Sequence, residues 1–448
     1  MPLQVIVVGA GIAGLCAATA IKQAGHHVEV FEKSRFLSEV GAAVTLSPNS
    51  SSVLAHLGFS FERARVCQLN TWETVDGINL ETMGSVDQSR CEEKFGMPLM
   101  GVHRVDLHNE LMRLAESRQG VPSPASCTVH CGAQVVRVSS EEGFIELQNG
   151  QRHYADLIVA ADGLHSIARA HVVGGNGLKS TLTGFNAFRF LIPSSMIKGD
   201  HEFDEILAWK SDGLTVLADT RDKINERHMA WYECQDGAVQ NLVGIHPSTA
   251  TVKSEDNEVN KATMLEEFGH FHPSITKLIK IAPEIRSWPL MQNDPLHRWS
   301  KGKVLIIGDA AHAMLPFGGQ GANQAIEDGG ALGRLLQGLD DPAEIPHRIT
   351  LFDMVRRKRA SRIQILSTVR IGKEKQVEKQ LEQYAEPGVS LPTNFEERTY
   401  HDFSFKVLQR SDEVLAAATP STAQPPSLNG PHPENLLSFY PGKSPLVL

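Results

Sequence analysis

The first 32 residues constrain the fold more than any other part of the chain. Gln4 to Val8 is a continuous, β-branched run that reads as a buried strand, and it runs directly into Gly9-Ala-Gly11-Ile-Ala-Gly14. Ala17, Ala18, Ala20 and Ile21 then favour a helix, Gly25 ends it, and HHVEVFE reads as a second strand finishing at Glu32. In this βαβ setting each glycine has a job: Gly9 permits the tight turn, Gly11 lets a pyrophosphate approach the backbone, and Gly14 allows close packing. The helix N-terminus favours the anion. Glu32, 18 residues past Gly14, is placed to accept from both ribose hydroxyls and disfavours a 2′-phosphate. Glycines kept only for packing would leave that acid unexplained. The expected ligand is the adenosine half of FAD or NAD, and this loop alone does not choose between them.

Four further segments follow: GAAVTLSPNSSSVLAHLG, a turn, short strand and helix; GVHRVDLHNELMRLA; YADLIVAADGLHSIAR; and KVLIIGD leading into GDAAHAMLPFGGQGANQAIEDG, Gly308 to Gly329. Arg104 opens an amphipathic helix with Leu107, Leu111 and Leu114 on one face. ADLIVAADG is a buried strand ending at Asp162-Gly163, and buried strands rarely end on an acid without a partner. KVLIIGD reads as another buried strand with Asp309 at its carboxyl end, where a doubly wound sheet places ligands. Leu315 to Gly321 reads as a Pro and Gly turn, and a helix is expected from about Ala322.

In this order and at these separations the set resembles the FAD-dependent aromatic hydroxylases (group A flavoprotein monooxygenases), above all the salicylate-hydroxylase-like members, including fungal enzymes that oxidise polyketide phenols. The resemblance covers roughly residues 3 to 370. It implies an α/β, p-hydroxybenzoate hydroxylase-like fold: a Rossmann-type FAD domain with an inserted β-sheet substrate domain and C-terminal helices. The expected partition is a discontinuous FAD-binding domain (1–75, 100–175 and 285–370), a substrate-binding sheet domain (76–99 and 176–284), and a C-terminal helix and Pro-rich tail (371–448). The resemblance assigns Arg104 to the FAD diphosphate, Asp162 and Arg169 to the architecture around FAD and the nicotinamide cofactor, and Lys33 and Ala43 to FAD as well. The Asp309 carboxylate is then placed for the ribityl hydroxyls. The helix start at Gly321 and Ala322 would stabilise negative charge on reduced flavin. Gly318, Gly319 and Gly321 let the backbone approach the ring, and Pro316 stands near its reacting edge. His312 invites a catalytic-base reading, but the family treats Asp-Ala-Ala-His as scaffolding. The two glycine loops are thus expected to bind opposite ends of one tightly bound FAD.

Between Ser166 and Trp288 the pattern turns to strand-like runs: TGFNAFRFLIP, GLTVLAD, HMAWYECQ and QNLVGIHP. In AFRFLI, Phe188 and Phe190 share one side of the strand and Arg189 the other, with Ala187 and Leu191. A cation beside a flavin suits a phenolate or carboxylate, so Arg189 is a substrate-anchor candidate, as against an arginine on a solvated face. Tyr232 is a second candidate, for binding or deprotonating a phenol, as against a core tyrosine with a satisfied hydroxyl. RDKINERH, 221–228, looks like a charged hairpin insertion. From about Gly388 the chain is expected to be extended or poorly ordered.

By resemblance, NADPH or NADH, bound transiently because no second dinucleotide loop follows a strand, reduces FAD. O2 then gives a flavin C4a-hydroperoxide, which oxygenates a small aromatic substrate, either a phenol or aromatic acid, or a secondary metabolite. A flavin oxidase or dehydrogenase of an amine or alcohol, and a non-catalytic FAD-fold binding protein, are the alternatives. The net charge of −9 argues against a nucleic-acid partner; VRRKRASR, the one basic run, reads as a solvated helical face. Six scattered cysteines fit neither a disulfide framework nor a metal site, so a reducing, cytoplasmic setting is expected. No window offers about 20 uninterrupted apolar residues to cross a bilayer. A monomer or homodimer is expected.

Overall fold

The computed structural model describes residues 1–35, 42–118, 121–122, 124–174, 180–210, 212–221, 227–248 and 255–418. Gln4–Val8 lies inside a six-stranded sheet, hydrogen-bonded in parallel to His27–Glu32 on one side and to Leu157–Ala160 on the other. Burial on both faces is why VIVV and LIVA are unbroken apolar runs. Ser126–Cys131 and Val304–Ile306 extend the sheet in parallel, and Ser300–Lys301 adds a short antiparallel edge.

Two helices that begin in glycine loops, Ile12–Gln23 and Gly321–Leu336, cross on this sheet. They touch almost backbone to backbone. A Cβ at Gly329 would lie 2.8 Å from both the Ala17 nitrogen and the Cys16 sulfur, and one at Gly333 only 2.4 Å from the Ala20 Cβ. Small residues at the crossing therefore fix the spacing between the two loops.

A seven-stranded sheet forms the second layer, in the order Ile285–Gln292, Thr181–Pro193, Val239–Pro247, His228–Cys234, Gly213–Ala218, Thr71–Asp76 and Thr82–Asp87. Strand alternation gives it two unlike faces. Phe188, Phe190, Trp231 and Leu242 pack into one core with Met264, Phe268 and Ile275 of the helices Asn257–Phe268 and Pro273–Ile281. Arg189, Ala230, Tyr232 and Val243 occupy the opposite face.

Four sequence expectations need correction. Thr71–Asp76 and Ile285–Gln292 belong to the seven-stranded sheet, because they pair with Gly213–Ala218 and Thr181–Pro193, although the partition put 71–75 and 285–292 with the cofactor segments. Asp309 does not end a strand: the strand stops at Ile306, Gly308 takes φ +59°, and Asp309 opens the short helix Asp309–His312. VRRKRASR is not a solvated face, since Arg356, Arg359 and Arg362 are all buried in the helix Ile345–Leu366. The stretch beyond Gly388 is not extended throughout, for Phe395–Phe403 and Val407–Ala418 are helices that bury Phe403, Val407 and Val414. The Pro-rich segment 419–448 and residues 222–226 of the expected charged hairpin lie outside the described residues. Among the described residues no helix is long and apolar enough to cross a membrane.

Candidate active site

The glycine loop opens onto a cavity of about 650 Å3 lined by Gly9, Gly11, Glu32, Lys33, Arg104, Asp162, Gly163 and Arg189, among others. Gly9 has φ +99°, and a Cβ there would lie 2.5 Å from the Ala161 carbonyl oxygen. Nothing lies within 4 Å of where a Cβ at Gly11 would stand, so the backbone at that point faces open space. Gly14 lines neither cavity; a Cβ on it would sit 1.9 Å from the Gly9 oxygen, which makes it a packing residue. Glu32 holds the loop by accepting from Ala10 N and Ser34 N, both at 2.8 Å. Each carboxylate oxygen has a second lone pair left for a hydroxyl.

Arg104 stands at the start of the helix Arg104–Glu116, which is fastened at both ends. His108 Nε2 pairs with the Ala10 carbonyl oxygen at 2.7 Å, and the buried Lys22 ammonium caps the far end by donating to the Leu114, Ala115 and Ser117 carbonyls. Asp162 accepts from Ile167 N at 2.8 Å through one oxygen. Its other oxygen is buried with no hydrogen-bond partner among the described residues, and burial raises its pKa. Arg169 points away from both cavities, donating to Leu164 O at 2.6 Å and approaching Asp309 O and Ala310 O at 3.4 and 3.5 Å. It ties the Asp162 turn to the Asp309 turn.

A second cavity, of about 1000 Å3, shares Gly11, Arg104, Ala161, Gly163 and Arg189 with the first. The two therefore form one elongated space. Ala43, Asp309, Pro316, Gly319, Gly321, Ala322 and Tyr232 line the second cavity. Asp309 is exposed to it, and Gly319 takes φ +64°, where a Cβ would meet Thr45 Oγ1 at 2.6 Å. The opposite wall is largely apolar, with Trp72, Leu214, Val216, Ala230, Val243 and Ile245.

Arg189 sits at the junction, its guanidinium 4.7 Å from the Trp288 ring centroid and its Nε buried without a hydrogen-bond partner among the described residues. Burial, aided by the positive charge of Arg104, pushes its pKa down to about 10, so it stays cationic at neutral pH. Burial drives the Tyr232 hydroxyl well above its ordinary range, which makes it a hydrogen-bond donor and a poor base.

A family model described as an FAD binding domain matches residues 2–341. The chain belongs to that family. Its relatives include an FAD-dependent monooxygenase, phomE′, of Diaporthe leptostromiformis, 34% identical over 86% of this chain and 96% of the relative. Hispidin-3-hydroxylase of Neonothopanus nambi is 31% identical over 80% of this chain and 86% of that one. The fold is that of a salicylate hydroxylase solved as a substrate complex, with a TM-score of 0.69 at 22% identity, over 94% of this chain and 99% of the other. The protein is an FAD-dependent monooxygenase with the architecture of the aromatic hydroxylases.

The monooxygenase's scaffold is more polar than its sequence reading allowed. His312 is wholly buried, lines neither cavity, and pairs with Asp328 at 2.7 Å. Asp328 also accepts from Gly308 N at 2.9 Å and from Arg356 Nε at 2.8 Å, and Glu327 pairs with Arg356 and Arg359. Burial alone would raise both carboxyl pKa values, but the neighbouring cations outweigh it and hold them low. The reading also missed His228 and Arg370 in the larger cavity. His228, half-buried in the cavity wall and 5.6 Å from the Phe317 ring, is kept neutral by burial and by the charge of Arg370. Its place two alternations before Tyr232, on the same strand face, was the available signal.

Proposed function

We propose that the elongated space takes a single FAD, with its adenosine diphosphate in the smaller cavity and its ribityl chain and ring in the larger, and that a small aromatic phenol or acid occupies the remainder of the larger one. The observation that carries this reading is that the two cavities meet at Gly11, Arg104 and Arg189, with the first glycine loop lining the smaller cavity up to that junction and the second glycine loop lining the larger one. The residues fit the cofactor: Gly11 leaves backbone open where a side chain would intrude, Gly319 supplies a left-handed turn in the second loop, and Glu32, Arg104 and Asp309 offer the polar contacts that a ribose, a diphosphate and a sugar alcohol need.

When bound, FAD accepts a hydride from transiently bound NADPH or NADH and activates O2. The chain supplies the rest. The helix beginning at Gly321 opens on the larger cavity, where its free N–H groups would favour negative charge on a bound ring, Pro316 and Phe317 would shape the wall beside it, and the apolar sheet face would exclude water. Arg189 anchors a phenolate or carboxylate through a charged hydrogen bond, and Tyr232 donates a second. His228, held neutral by burial and by the charge of Arg370, offers an uncharged imidazole nitrogen that can accept a hydrogen bond from the phenolic O–H and so enrich the ring in electrons without forming an imidazolium. The supported reaction is hydroxylation of an aromatic ring.

The test uses the purified yellow protein in air with NADH or NADPH and a panel of phenols, aromatic acids and indoles. Reduced cofactor consumed faster with one substrate, with an oxygenated product, is the expected result. Substrate-driven bleaching without nicotinamide would point to an oxidase instead.

A further inference from the structure

Arg398 lies beyond the matched family segment, on the C-terminal helix Phe395–Phe403, and is 3% exposed. Asn394 caps that helix by accepting from Glu397 N at 3.0 Å, which sets the rotation that sends Arg398 inward. The guanidinium enters between two segments that both line the larger cavity. On one side is the turn Pro316–Gly318, whose Pro316 and Phe317 face the cavity. A Cβ at Gly318 would stand 2.3 Å from Arg398 Nη2, so the glycine is what lets the guanidinium in. On the other side is 369–374, which contributes Arg370, Ile371 and Lys373 to the cavity wall. Arg398 Nη1 approaches Val369 O and the buried Glu374 carboxylate, each at 3.5 Å, and Glu374 in turn accepts from Gly372 N at 3.1 Å. The two segments meet above it, where the Arg370 guanidinium lies 3.5 Å from the Phe317 ring centroid.

We propose that Arg398 is a positioning residue which, wedged against Gly318 and Glu374, sets the distance between the flavin-side turn and the 369–374 wall and so fixes the cavity around the reacting ring. The proposal rests on the reading that the Pro316–Gly321 loop meets the flavin. Arg398 lines neither cavity; it acts through Gly318. A lysine keeps the charge toward Glu374 but lacks the flat plate that fills the space at Gly318.

The experiment compares Arg398→Lys, Arg398→Met, Gly318→Ala and the double variant Gly318→Ala/Arg398→Met. Three readouts are taken: FAD affinity of the apoprotein by flavin fluorescence, the visible circular dichroism of bound FAD, and amide exchange of residues 316–319. Gly318→Ala and Arg398→Met should each weaken FAD binding about three- to tenfold, alter the flavin dichroism and speed exchange in the turn. Arg398→Lys should fall between Arg398→Met and the parent. The two changes share one contact, so the double variant should be no worse than the worse single one, a non-additivity of about three- to tenfold. Additive losses, or a lowered Tm with all three flavin and turn readouts unchanged, would overturn the proposal. If Arg398→Met fails to fold, Arg398→Lys and Gly318→Ala decide by the same three readouts. Gly319→Ala, strained at φ +64° and not in contact with Arg398, separates the two levels of the argument. If it too leaves the flavin signals unchanged, the assignment of the loop to the flavin fails. If it changes them while the Arg398 variants do not, only the role of Arg398 fails.

Discussion

Arg189 shows what a single residue contributes and how far sequence takes it. Alternation along AFRFLI placed it opposite Phe188 and Phe190, and the structure buries those two in the core while Arg189 faces the cavities. Its stacking on Trp288, 99 residues away in sequence, was not legible, because the contact is made across paired strands. An arginine whose buried Nε is still unmatched has charged hydrogen-bonding capacity to give a ligand. Arg189→Met should therefore cost roughly 10- to 100-fold in kcat/KM for an acidic phenol, the equivalent of about 1.5–3 kcal/mol for a charged hydrogen bond. Steady-state kinetics with a neutral and an acidic substrate checks this; equal losses on both would remove the anchoring role. Tyr232, its hydroxyl raised by burial, should contribute no basic limb below about pH 9. Tyr232→Phe should accordingly raise KM and leave the pH profile of kcat in place, which a pH-rate series reads directly.

Between elements, the decisive contact is the crossing of Ile12–Gln23 and Gly321–Leu336, because it sets how far apart the two glycine loops stand. Both helices were visible as alanine- and glycine-rich segments after strands, and their loops as turns. What pins the second one was not. The basic run in Ile345–Leu366 looks like a polar helix face until Glu327 and Asp328 of the neighbouring helix are placed beside it, and only tertiary structure brings those acids within 3 Å of Arg356 and Arg359. His312, inviting as a base, is spent in the same cluster. Removing one member of a buried charge group strands its partners, so Glu327→Gln should destabilise the protein by about 3–5 kcal/mol. Urea unfolding of the holoprotein would measure the loss; a change under about 1 kcal/mol would show that the cluster is not held together by charge.

Across the whole molecule, the acid response follows from groups that sequence could name but not bury. Burial lowers the pKa of His26, His228 and His401 below the ordinary 6.5. Below that pH the unfolded chain binds protons that the folded one refuses, so stability falls as pH drops through about 6.5, by up to about 1.4 kcal/mol per pH unit for each histidine. Glu327 and Asp328, with pKa values held low, add a second loss as pH falls below their ordinary values of 4.5 and 3.8. Thermal melts from pH 8 to 4 should show Tm declining from about pH 6.5 downward; a Tm that rises over that range would contradict the burial of these imidazoles. At this scale the layered order of cofactor segments and inserted sheet was readable from the succession of motifs, whereas the helices of 395–418 were grouped with the Pro-rich segment that follows them, although Val407, Leu408, Val414 and Leu415 recur at helical spacing.

The central claim is that two glycine loops about 300 residues apart hold opposite ends of one cofactor. Isothermal titration of the apoprotein with ADP and riboflavin, the two ends of FAD supplied as separate molecules, tests it most directly. One FAD should bind per chain, ADP and riboflavin should occupy the protein together, and FAD should displace both. If ADP and riboflavin exclude one another, or if two FAD molecules bind per chain, the loops do not share a cofactor.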